Sequence, residues 1–272
     1  MPSSYKEQVE VDEMSPDNSL SQSQSTAMNT SVKLYLDLMK QCLTNSIYGK
    51  YEGPSYKAQQ RIEGIDHPPT AHTMIGIKRL ENIQFCVKDV LAKGIPGDLI
   101  ETGVWRGGAT IFMRAILKAY GISDRTVWVA DSFKGFPVPK LDKYPLDEIF
   151  VNSENRPPYL QVSLSEVQAN FAAYGLLDEQ VRFLEGWFCD TLPTAPIEQL
   201  AVLRLDGDLY ESTMDVLRSL YSKVSVGGYV IVDDYGELRA CRQAVDDFRA
   251  VEHMTDTLHL VDHSGVYWQR SK

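Results

Sequence analysis

The sequence lacks any apolar run that is long enough to cross a bilayer. Hydrophobic residues make up 43% of the 272 positions, yet no stretch reaches roughly 18 consecutive apolar residues, the length that a membrane helix needs. The N-terminus also lacks the short apolar segment of a secretion signal. We therefore expect no membrane contact and a cytoplasmic location.

Cysteine is scarce and scattered. None of the four cysteines has the C-x-x-C spacing of zinc and redox sites; they are Cys42, Cys86, Cys189 and Cys241. This usage predicts neither a zinc site nor a disulfide framework. It fits a reducing compartment.

Positive charge is in short supply. Lysine and arginine number 27 against 37 aspartate and glutamate, which gives a net charge of −10. Proteins that bind nucleic acid derive much of their affinity from lysine and arginine that neutralise phosphates. The charge balance therefore argues against nucleic acid as a substrate or partner.

The N-terminal third of the chain divides into a polar segment and a helical one. Residues 1–30 are rich in serine, glutamine and acids, and they bury too little surface to offset the entropy of ordering. We predict a disordered tail there. Apolar residues then recur at helical spacing over 31–43 and about 74–93. These two helices, joined by a loop, predict an N-terminal helical cap over 31–94.

Strands and helices alternate through residues 95–272. Strands are predicted at 98–102, 126–130, 181–184, 200–205 and 229–232, and helices at 108–120, 164–174, 211–223 and 238–251. Such alternation predicts a parallel sheet that is covered on both faces. The last two strands, 257–261 and 265–269, flank a short turn and predict an antiparallel hairpin. We therefore expect one α/β domain with a Rossmann-like, mostly parallel sheet.

A glycine-rich turn follows the first strand of this domain. Its sequence is Glu101-Thr102-Gly103-Val104-Trp105-Arg106-Gly107-Gly108. Gly103 allows a tight turn, and Gly107 and Gly108 allow a ligand to approach the free N–H groups of the next helix. The carboxylate of S-adenosylmethionine would suit that position, and an ordinary strand-to-helix connection is the alternative. The spacing departs from G-x-G-x-x-G, which disfavours a pyrophosphate cofactor.

The next two strands end in further candidates for cofactor binding. Asp131 ends the second strand, where an acid binds the two ribose hydroxyls of a nucleoside in related sheets. Gly186, Trp187 and Phe188 follow the third strand and would flank an adenine ring, unless the two aromatic residues belong to the core. Together with the turn, these residues favour S-adenosylmethionine.

Three acidic residues end two further strands. Asp206 follows the strand 200–205, and Asp233 and Asp234 follow the strand 229–232. Adjacent parallel strands lie about 4.8 Å apart, so the three carboxylates can gather at one edge of the sheet. Oxygen ligands without histidine or cysteine select a hard cation, and we predict Mg²⁺. The alternative is that these acids cap the helices that follow.

The acidic residues also suggest a reaction. An alcohol is a poor nucleophile toward a sulfonium, and coordination to a metal makes its hydroxyl more acidic. Asp206, at the edge that faces the cofactor, would then accept the proton. Histidine is the usual alternative base, and His67 and His72 lie close enough to the predicted pocket in sequence for us to consider them.

With these motifs the chain resembles the macrocin O-methyltransferase family, whose members methylate sugar hydroxyls on macrolide and aminocoumarin antibiotics. The resemblance covers residues 31–270. It rests on Thr73-Met74-Ile75-Gly76, the glycine-rich turn, Asp131-Ser132-Phe133-Lys134-Gly135, Leu205-Asp206-Gly207-Asp208-Leu209-Tyr210 and Asp233-Asp234-Tyr235.

The resemblance implies a class I methyltransferase fold and a role in natural product biosynthesis. It implies that Asp206, Asp233 and Asp234 hold Mg²⁺, with Asp206 also the general base. Thr73 and Met74 would fold over the cofactor, and its binding residues would be Thr73, Met74, Glu101, Thr102, Gly103, Val104, Trp105, Asp131, Ser132, Gly186, Trp187 and Phe188. The acceptor would be a glycosylated or polyhydroxylated small molecule, and we expect a homo-oligomer.

Several alternatives remain at this point. The acceptor hydroxyl could be a phenol or belong to a polyketide, since the same catalytic parts would serve. A nicotinamide-dependent sugar oxidoreductase is a competing hypothesis, although its sheet would normally stay parallel and no Tyr/Lys pair stands in suitable register. A lysine base at the position of Leu209, as in catechol methyltransferases, is not expected. The proline-rich segment 136–162 predicts a lid or substrate loop.

Overall fold

The structure is a computed structural model and describes residues 18–150 and 158–272. Its α-helices in this part of the chain are α1 (Asn18–Leu43), α2 (Ala58–Glu63), α3 (Gly76–Ala92), α4 (Gly108–Ala119), α5 (Leu164–Ala173), α6 (Phe188–Thr191), α7 (Tyr210–Leu220) and α8 (Arg239–Val251). Its strands are β1 (Asp98–Thr102), β2 (Val127–Asp131), β3 (Val181–Glu185), β4 (Leu200–Leu205), β5 (Val224–Val232), β6 (His259–Leu260) and β7 (Val266–Gln269). None of the described helices is both long and apolar enough to cross a membrane.

The seven strands form one sheet in the order β3-β2-β1-β4-β5-β7-β6. Strands β1 to β5 pair in parallel, and β7 pairs antiparallel with both β5 and β6. The predicted parallel sheet with a C-terminal hairpin is therefore confirmed. From β1 the chain moves outward to β2 and β3 and then returns to β4 on the other side, so a topological switch point lies between β1 and β4. Ligands of open α/β sheets bind at such points.

Side chains alternate between two apolar layers. Val129 of β2 faces the layer with α1, α3 and α4, whereas its neighbours Trp128 and Ala130 face the layer with α7 and α8. Strand β4 is buried at every position. A strand that is covered on both faces has a continuous apolar sequence, and this explains the run at 200–205.

Helix α1 begins earlier than the sequence pattern predicts. It starts at Asn18 rather than near residue 31, so the predicted disordered tail over 1–30 does not describe 18–30, and 1–17 lie outside the described residues. Adding a residue to an existing helix costs far less than nucleating one, so a packed helix can extend into a polar stretch. The packed part is the C-terminal half of α1, where Leu36, Met39 and Leu43 are buried in one core with α3, α4 and the sheet.

The loop between α1 and α3 contains a short helix that the sequence pattern does not predict. Helix α2 is held by Arg61, which is buried and donates to Glu52, to Asp66 and to the carbonyl oxygen of Thr44. These hydrogen bonds join a buried guanidinium to residues that are distant in sequence, and such contacts leave no periodic pattern in the sequence. They bring residues 64–67 to the site described below.

A pair of leucines on α1 tests whether this helix is part of the folded domain. Leu36 is fully buried, whereas Leu34 is 65% exposed. We expect Leu36→Ala to lower the free energy of unfolding by about 2–5 kcal/mol because it leaves a cavity, and the matched control Leu34→Ala to change it by no more than about 0.5 kcal/mol. Urea denaturation followed by circular dichroism measures both. Equal losses for the two variants would contradict this packing.

Candidate active site

A cavity of about 680 Å³ lies at the carboxyl ends of the parallel strands. The residues that follow or end β1 to β5 line it in turn: Gly103, Asp131, Gly186, Asp206 and Asp233. It therefore lies at the switch point between β1 and β4, where the topology predicts a ligand site. Its volume is within the usual range for small-molecule sites, roughly 300–1,000 Å³.

The cavity collects nearly all of the predicted cofactor residues. Those that line it are Thr73, Met74, Glu101, Gly103, Val104, Trp105, Asp131, Ser132, Gly186, Trp187 and Phe188. Thr102 does not line it: this residue is fully buried, and its Oγ1 donates to the carbonyl oxygen of Arg204 at 3.3 Å. Successive side chains of a strand point to opposite faces. Thr102 therefore points away from the face that Glu101 presents to the cavity.

The turn after β1 depends on close contact between two backbones. Gly103 has φ +87, and a Cβ at this position would lie 1.7 Å from the carbonyl oxygen of Asp206. The Gly103 N–H donates to the carbonyl oxygen of Ala130 at 2.8 Å, and the Asp206 N–H donates to that of Thr102 at 2.9 Å. Glycine is required here because any side chain would separate the loops that follow β1 and β4.

Gly107 and Gly108 serve a different purpose from the one that the sequence suggests. Neither lines the cavity. The Gly108 N–H donates to the carbonyl oxygen of His72 at 3.0 Å, and a Cβ on Gly108 would meet that oxygen at 2.4 Å and Thr73 Cβ at 2.6 Å. The start of α4 is therefore approached by residues 72–73 rather than by a ligand. This contact places Thr73 and Met74 at the cavity.

Asp131 connects two of the loops that form the cavity. Its Oδ2 accepts the N–H of Val104 and its Oδ1 accepts the N–H of Phe133, both at 2.8 Å. Burial raises the pKa of this carboxyl, while hydrogen bonds from the backbone N–H groups of Val104, Phe133 and Trp105 and from the Ser132 hydroxyl act in the opposite direction. Ser132 Oγ also donates to Oδ1, at 3.4 Å, so this carboxylate is held at the cavity by both loops.

An acidic cluster stands beside this turn. One carboxylate oxygen from each of Asp206, Asp208 and Asp234 lies within 4.8 Å of the others. The cluster differs from the predicted set in one member, because Asp233, which also lines the cavity, is paired with two arginines. The Asp233 carboxylate accepts hydrogen bonds from Arg79 at 2.5 Å and from Arg204. Asp208, which has the left-handed φ of +59, stands in the third position instead.

Sequence reasoning missed the two arginines that organise these acids. Arg204 is fully buried and donates to Glu101, to Asp206 at 2.8 Å and to Asp233. Arg79 of α3 joins Asp233 to Asp262 of the C-terminal hairpin turn, with 2.8 Å between Arg79 Nε and Asp262 Oδ2. An arginine inside an otherwise apolar strand is a usable signal, because a buried guanidinium needs carboxylate partners.

The cluster has more negative than positive charge. Burial, followed by repulsion from Asp233, raises the pKa of Asp206 to about 6. Burial and the neighbouring carboxylates raise the pKa values of Asp208 and Asp234 well above the usual range. Asp234 Oδ2 is buried and has no hydrogen-bond partner in the described part of the chain. An all-oxygen group with an unpartnered buried oxygen and excess negative charge fits a hard divalent cation such as Mg²⁺.

Of the two histidines considered as alternative bases, only His67 lines the cavity. His72 does not line the cavity; its Nδ1 lies 2.8 Å from the hydroxyl of Tyr174, and burial lowers its pKa. His67 does line the cavity, with its ring 5.8 Å from that of Tyr159. Leu209 is buried, so this position offers no base.

The predicted substrate loop contributes to the cavity wall. Lining residues from this segment are Phe136, Pro137, Val138, Lys140, Tyr159 and Leu160, while 151–157 lie outside the described residues. The Trp105 indole N–H donates to the carbonyl oxygen of Tyr159 at 2.8 Å. The segment therefore contacts the glycine-rich turn beside the cavity.

The strand order, the antiparallel β7 and the cavity at the β1/β4 switch point define a class I S-adenosylmethionine-dependent methyltransferase. In agreement with this, the family model for macrocin-O-methyltransferase (TylF) matches residues 48–270. The chain belongs to this family and is an S-adenosylmethionine-dependent O-methyltransferase, as its motifs predict.

Individual relatives are similar over nearly the full length. The chain is 56% identical over 252 residues to demethyldecarbamoylnovobiocin O-methyltransferase of Streptomyces niveus, covering 90% of this chain and 96% of that protein. It is 53% identical over 251 residues to mycinamicin III 3''-O-methyltransferase of Micromonospora griseorubida, covering 89% and 98%. The solved structure of the O-methyltransferase NovP has a TM-score of 0.84 at 57% identity, covering 89% and 100%. Calicheamicin methyltransferase CalS11, with a TM-score of 0.58 at 17% identity over 98% and 99%, shares the fold.

Two glycines test how tightly the loops after β1 and β4 approach. Gly103 and Gly121 both have left-handed φ, +87 and +67, but a Cβ on Gly121 would meet nothing within 4 Å. We expect Gly121→Ala to cost about 1 kcal/mol of unfolding free energy from φ alone. Gly103→Ala should cost more than about 3 kcal/mol, because the backbone must also move. Denaturant unfolding measures both variants. Equal losses of unfolding free energy would show that the loops after β1 and β4 tolerate separation.

Proposed function

We propose that this enzyme transfers the methyl group of S-adenosylmethionine to a sugar hydroxyl of a glycosylated small molecule, with bound Mg²⁺. The observation that carries the proposal is the acidic cluster beside the Gly103 turn, at the point where a methyl donor and an acceptor would meet. Two relatives are named for sugar positions: mycinamicin III 3''-O-methyltransferase, and the 4'-O-methyltransferase of a dimethoxyrhamnosyl tetracenomycin of Streptomyces olivaceus.

The cofactor would lie along the ends of β1, β2 and β3. Asp131, which ends β2 and lines the cavity, would bind the ribose hydroxyls. Trp187 and Phe188, which line the cavity after β3, would enclose the adenine. Thr73 and Met74 would cover the cofactor from the loop before α3. This arrangement directs the methionyl end toward Gly103 and hence toward Asp206.

We assign two carboxylates as metal ligands, and two others are candidates for the third ligand. Asp206 and Asp234 belong both to the family motif and to the observed cluster. Asp233 is the third ligand that the motif implies, whereas Asp208 is the one within 4.8 Å. Mg²⁺ would supply Lewis acidity that makes an acceptor hydroxyl a better nucleophile.

Asp206 is the proposed general base. Its Oδ2 is held by Arg204 at 2.8 Å, which leaves Oδ1 to accept the proton of the acceptor hydroxyl. Its side chain is 25% exposed, against 6% for that of Asp233, so Asp206 is the more accessible of the two from the cavity. The backbone contact between Asp206 and Gly103 keeps the base next to the cofactor turn. Positioning of this kind supplies much of the rate in transfer reactions.

The acceptor would enter between the loop after β4 and the segment 136–140. Phe136, Pro137 and Val138 offer apolar surface, and Lys140 and Tyr159 offer polar groups. A face with both apolar and polar groups suits a sugar carried on an apolar aglycone.

A homo-oligomer stays a prediction.

Asp206→Asn separates the chemistry from cofactor binding. We expect turnover to fall by at least about 10²-fold, the usual contribution of a general base, while S-adenosylhomocysteine binds as in the wild type. Calorimetry measures binding, and methyl transfer to mycinamicin III or demethyldecarbamoylnovobiocin as probe acceptors measures turnover. The matched control is Asp142→Asn, at an exposed position. Wild-type turnover in Asp206→Asn would remove its role as base, and a wild type that binds no S-adenosylhomocysteine would refute the proposal.

The third metal ligand is decided by comparing Asp208→Asn with Asp233→Asn. Each variant removes one negative charge, and replacing the true ligand should weaken Mg²⁺ binding in calorimetry by more than about 100-fold, the upper end of the effect expected from a residue that only supports the ligands. Thermal unfolding is the control, because Asp233→Asn also leaves Arg79 and Arg204 short of a partner.

EDTA should stop methyl transfer in the wild type, and a full rate in EDTA would exclude the metal from the mechanism.

A further inference from the structure

Helix α7 begins two residues after Asp208 and lacks a cap of its own. Its N-cap position is Leu209, which provides no side-chain hydrogen bond. The first N–H groups of a helix have no partner within the helix. At Tyr210 and Glu211 both N–H groups are instead accepted by one distant carboxylate. Asp147 Oδ1 lies 2.6 Å from Tyr210 N, and its Oδ2 lies 3.2 Å from Glu211 N.

Asp147 lies in residues 136–147, which we call the acceptor-side segment, and it is fully buried. It lies in a 3₁₀ turn, Pro145–Phe150, within the segment whose beginning lines the cavity. A carboxylate at a helix N-terminus is stabilised by the N–H groups and the helix dipole. Asp147 thus caps α7 from outside the helix.

Further contacts join the same segment to the first turn of α7. The rings of Tyr144 and Tyr210 stack at 5.4 Å, and Lys140 Nζ lies 2.6 Å from Glu211 Oε1. Within the segment, the N–H of Tyr144 donates to the carbonyl oxygen of Lys140 at 2.8 Å, and that of Asp147 to the carbonyl oxygen of Tyr144 at 3.1 Å. Residues 140–147 are therefore one hydrogen-bonded unit attached to α7.

The loop that precedes α7 carries two members of the acidic cluster, Asp206 and Asp208. Asp208 has φ +59, a conformation that costs a residue with a side chain about 1–2 kcal/mol, and the Leu209 N–H donates to the carbonyl oxygen of Gly207 at 2.6 Å. A short, strained loop of this kind keeps its shape only if both ends are held. The backbone contact with β1 holds Asp206, and Asp147 holds Tyr210.

We propose that Asp147 is a positioning residue that couples the acceptor-side segment 136–147 to the acidic loop 206–210. Ordering of the segment against α7 and ordering of Asp206 and Asp208 are then one event. The inference rests on the proposed function in so far as the acidic loop binds a divalent cation. The coupling itself is a property of the chain without ligand.

The test uses three variants of the full chain. Asp147→Ala removes both acceptors, Asp147→Asn keeps one, and the control Glu148→Gln removes a charge from the exposed neighbour. Hydrogen exchange without ligand follows the amides of 136–147 and 206–211, and electron paramagnetic resonance measures affinity for Mn²⁺ as the probe cation. In Asp147→Ala we expect both stretches to exchange faster together, and Mn²⁺ to bind about fivefold more weakly, the size of effect expected for a lost helix cap. Asp147→Asn should lie between, and Glu148→Gln should match the wild type.

Faster exchange confined to 210–211, with wild-type exchange at 136–144 and wild-type Mn²⁺ affinity, would overturn the proposal, since Asp147 would then be a helix cap alone. If Asp147→Ala fails to fold, the decision falls on Asp147→Asn: faster exchange in both stretches supports the coupling, and wild-type exchange overturns it. Calorimetry of the wild type with S-adenosylhomocysteine tests the proposed function separately. A failure there leaves the exchange result intact.

Discussion

The buried guanidinium of Arg204 is the interaction on which the site depends. It lies on β4 and is fully buried, and it donates to carboxylates that come from β1, from the end of β4 and from the end of β5. Removing one partner of such a network typically costs about 3–5 kcal/mol, because a charge is left buried without compensation. Arg204 thus sets the positions of Glu101, Asp206 and Asp233 together, and through Asp233 it also engages Arg79.

Two acids of the cluster are not held by Arg204. Within the described residues, Asp208 and Asp234 form no ion pair with an arginine, and Asp234 retains a buried oxygen with no hydrogen bond. Placing unpaired carboxylates near one another is unfavourable in the absence of a cation. The fold maintains this arrangement by anchoring each loop elsewhere: Gly103 against Asp206 on one side, and Asp147 against the start of α7 on the other.

Sequence patterns predict those features of the structure that depend on residues close to one another in the chain. Alternation and glycine turns correctly placed β1 to β4, the last part of β5 and the C-terminal hairpin, because period and turn chemistry are local; β5 begins at Val224, five residues before the predicted start. The pattern over 1–30 was misleading for 18–30, where α1 extends from its packed half. Gly108 was also misleading, since the sequence does not show that residues 72–73 approach it.

By itself the sequence determined the fold class, the family and the presence of acids at the ends of β4 and β5, since each follows from residue type and spacing. Only the tertiary structure decided which way each carboxylate turns. Asp233 and Asp234 are adjacent in sequence, yet one pairs with two arginines and the other joins the cluster. The difference arises because the guanidinium groups of Arg79 and Arg204 reach Asp233, while Asp234 keeps a buried oxygen without a hydrogen bond in the described residues. Their partners, Arg79 of α3 and Asp208 of the next loop, are brought there by packing over long sequence distances.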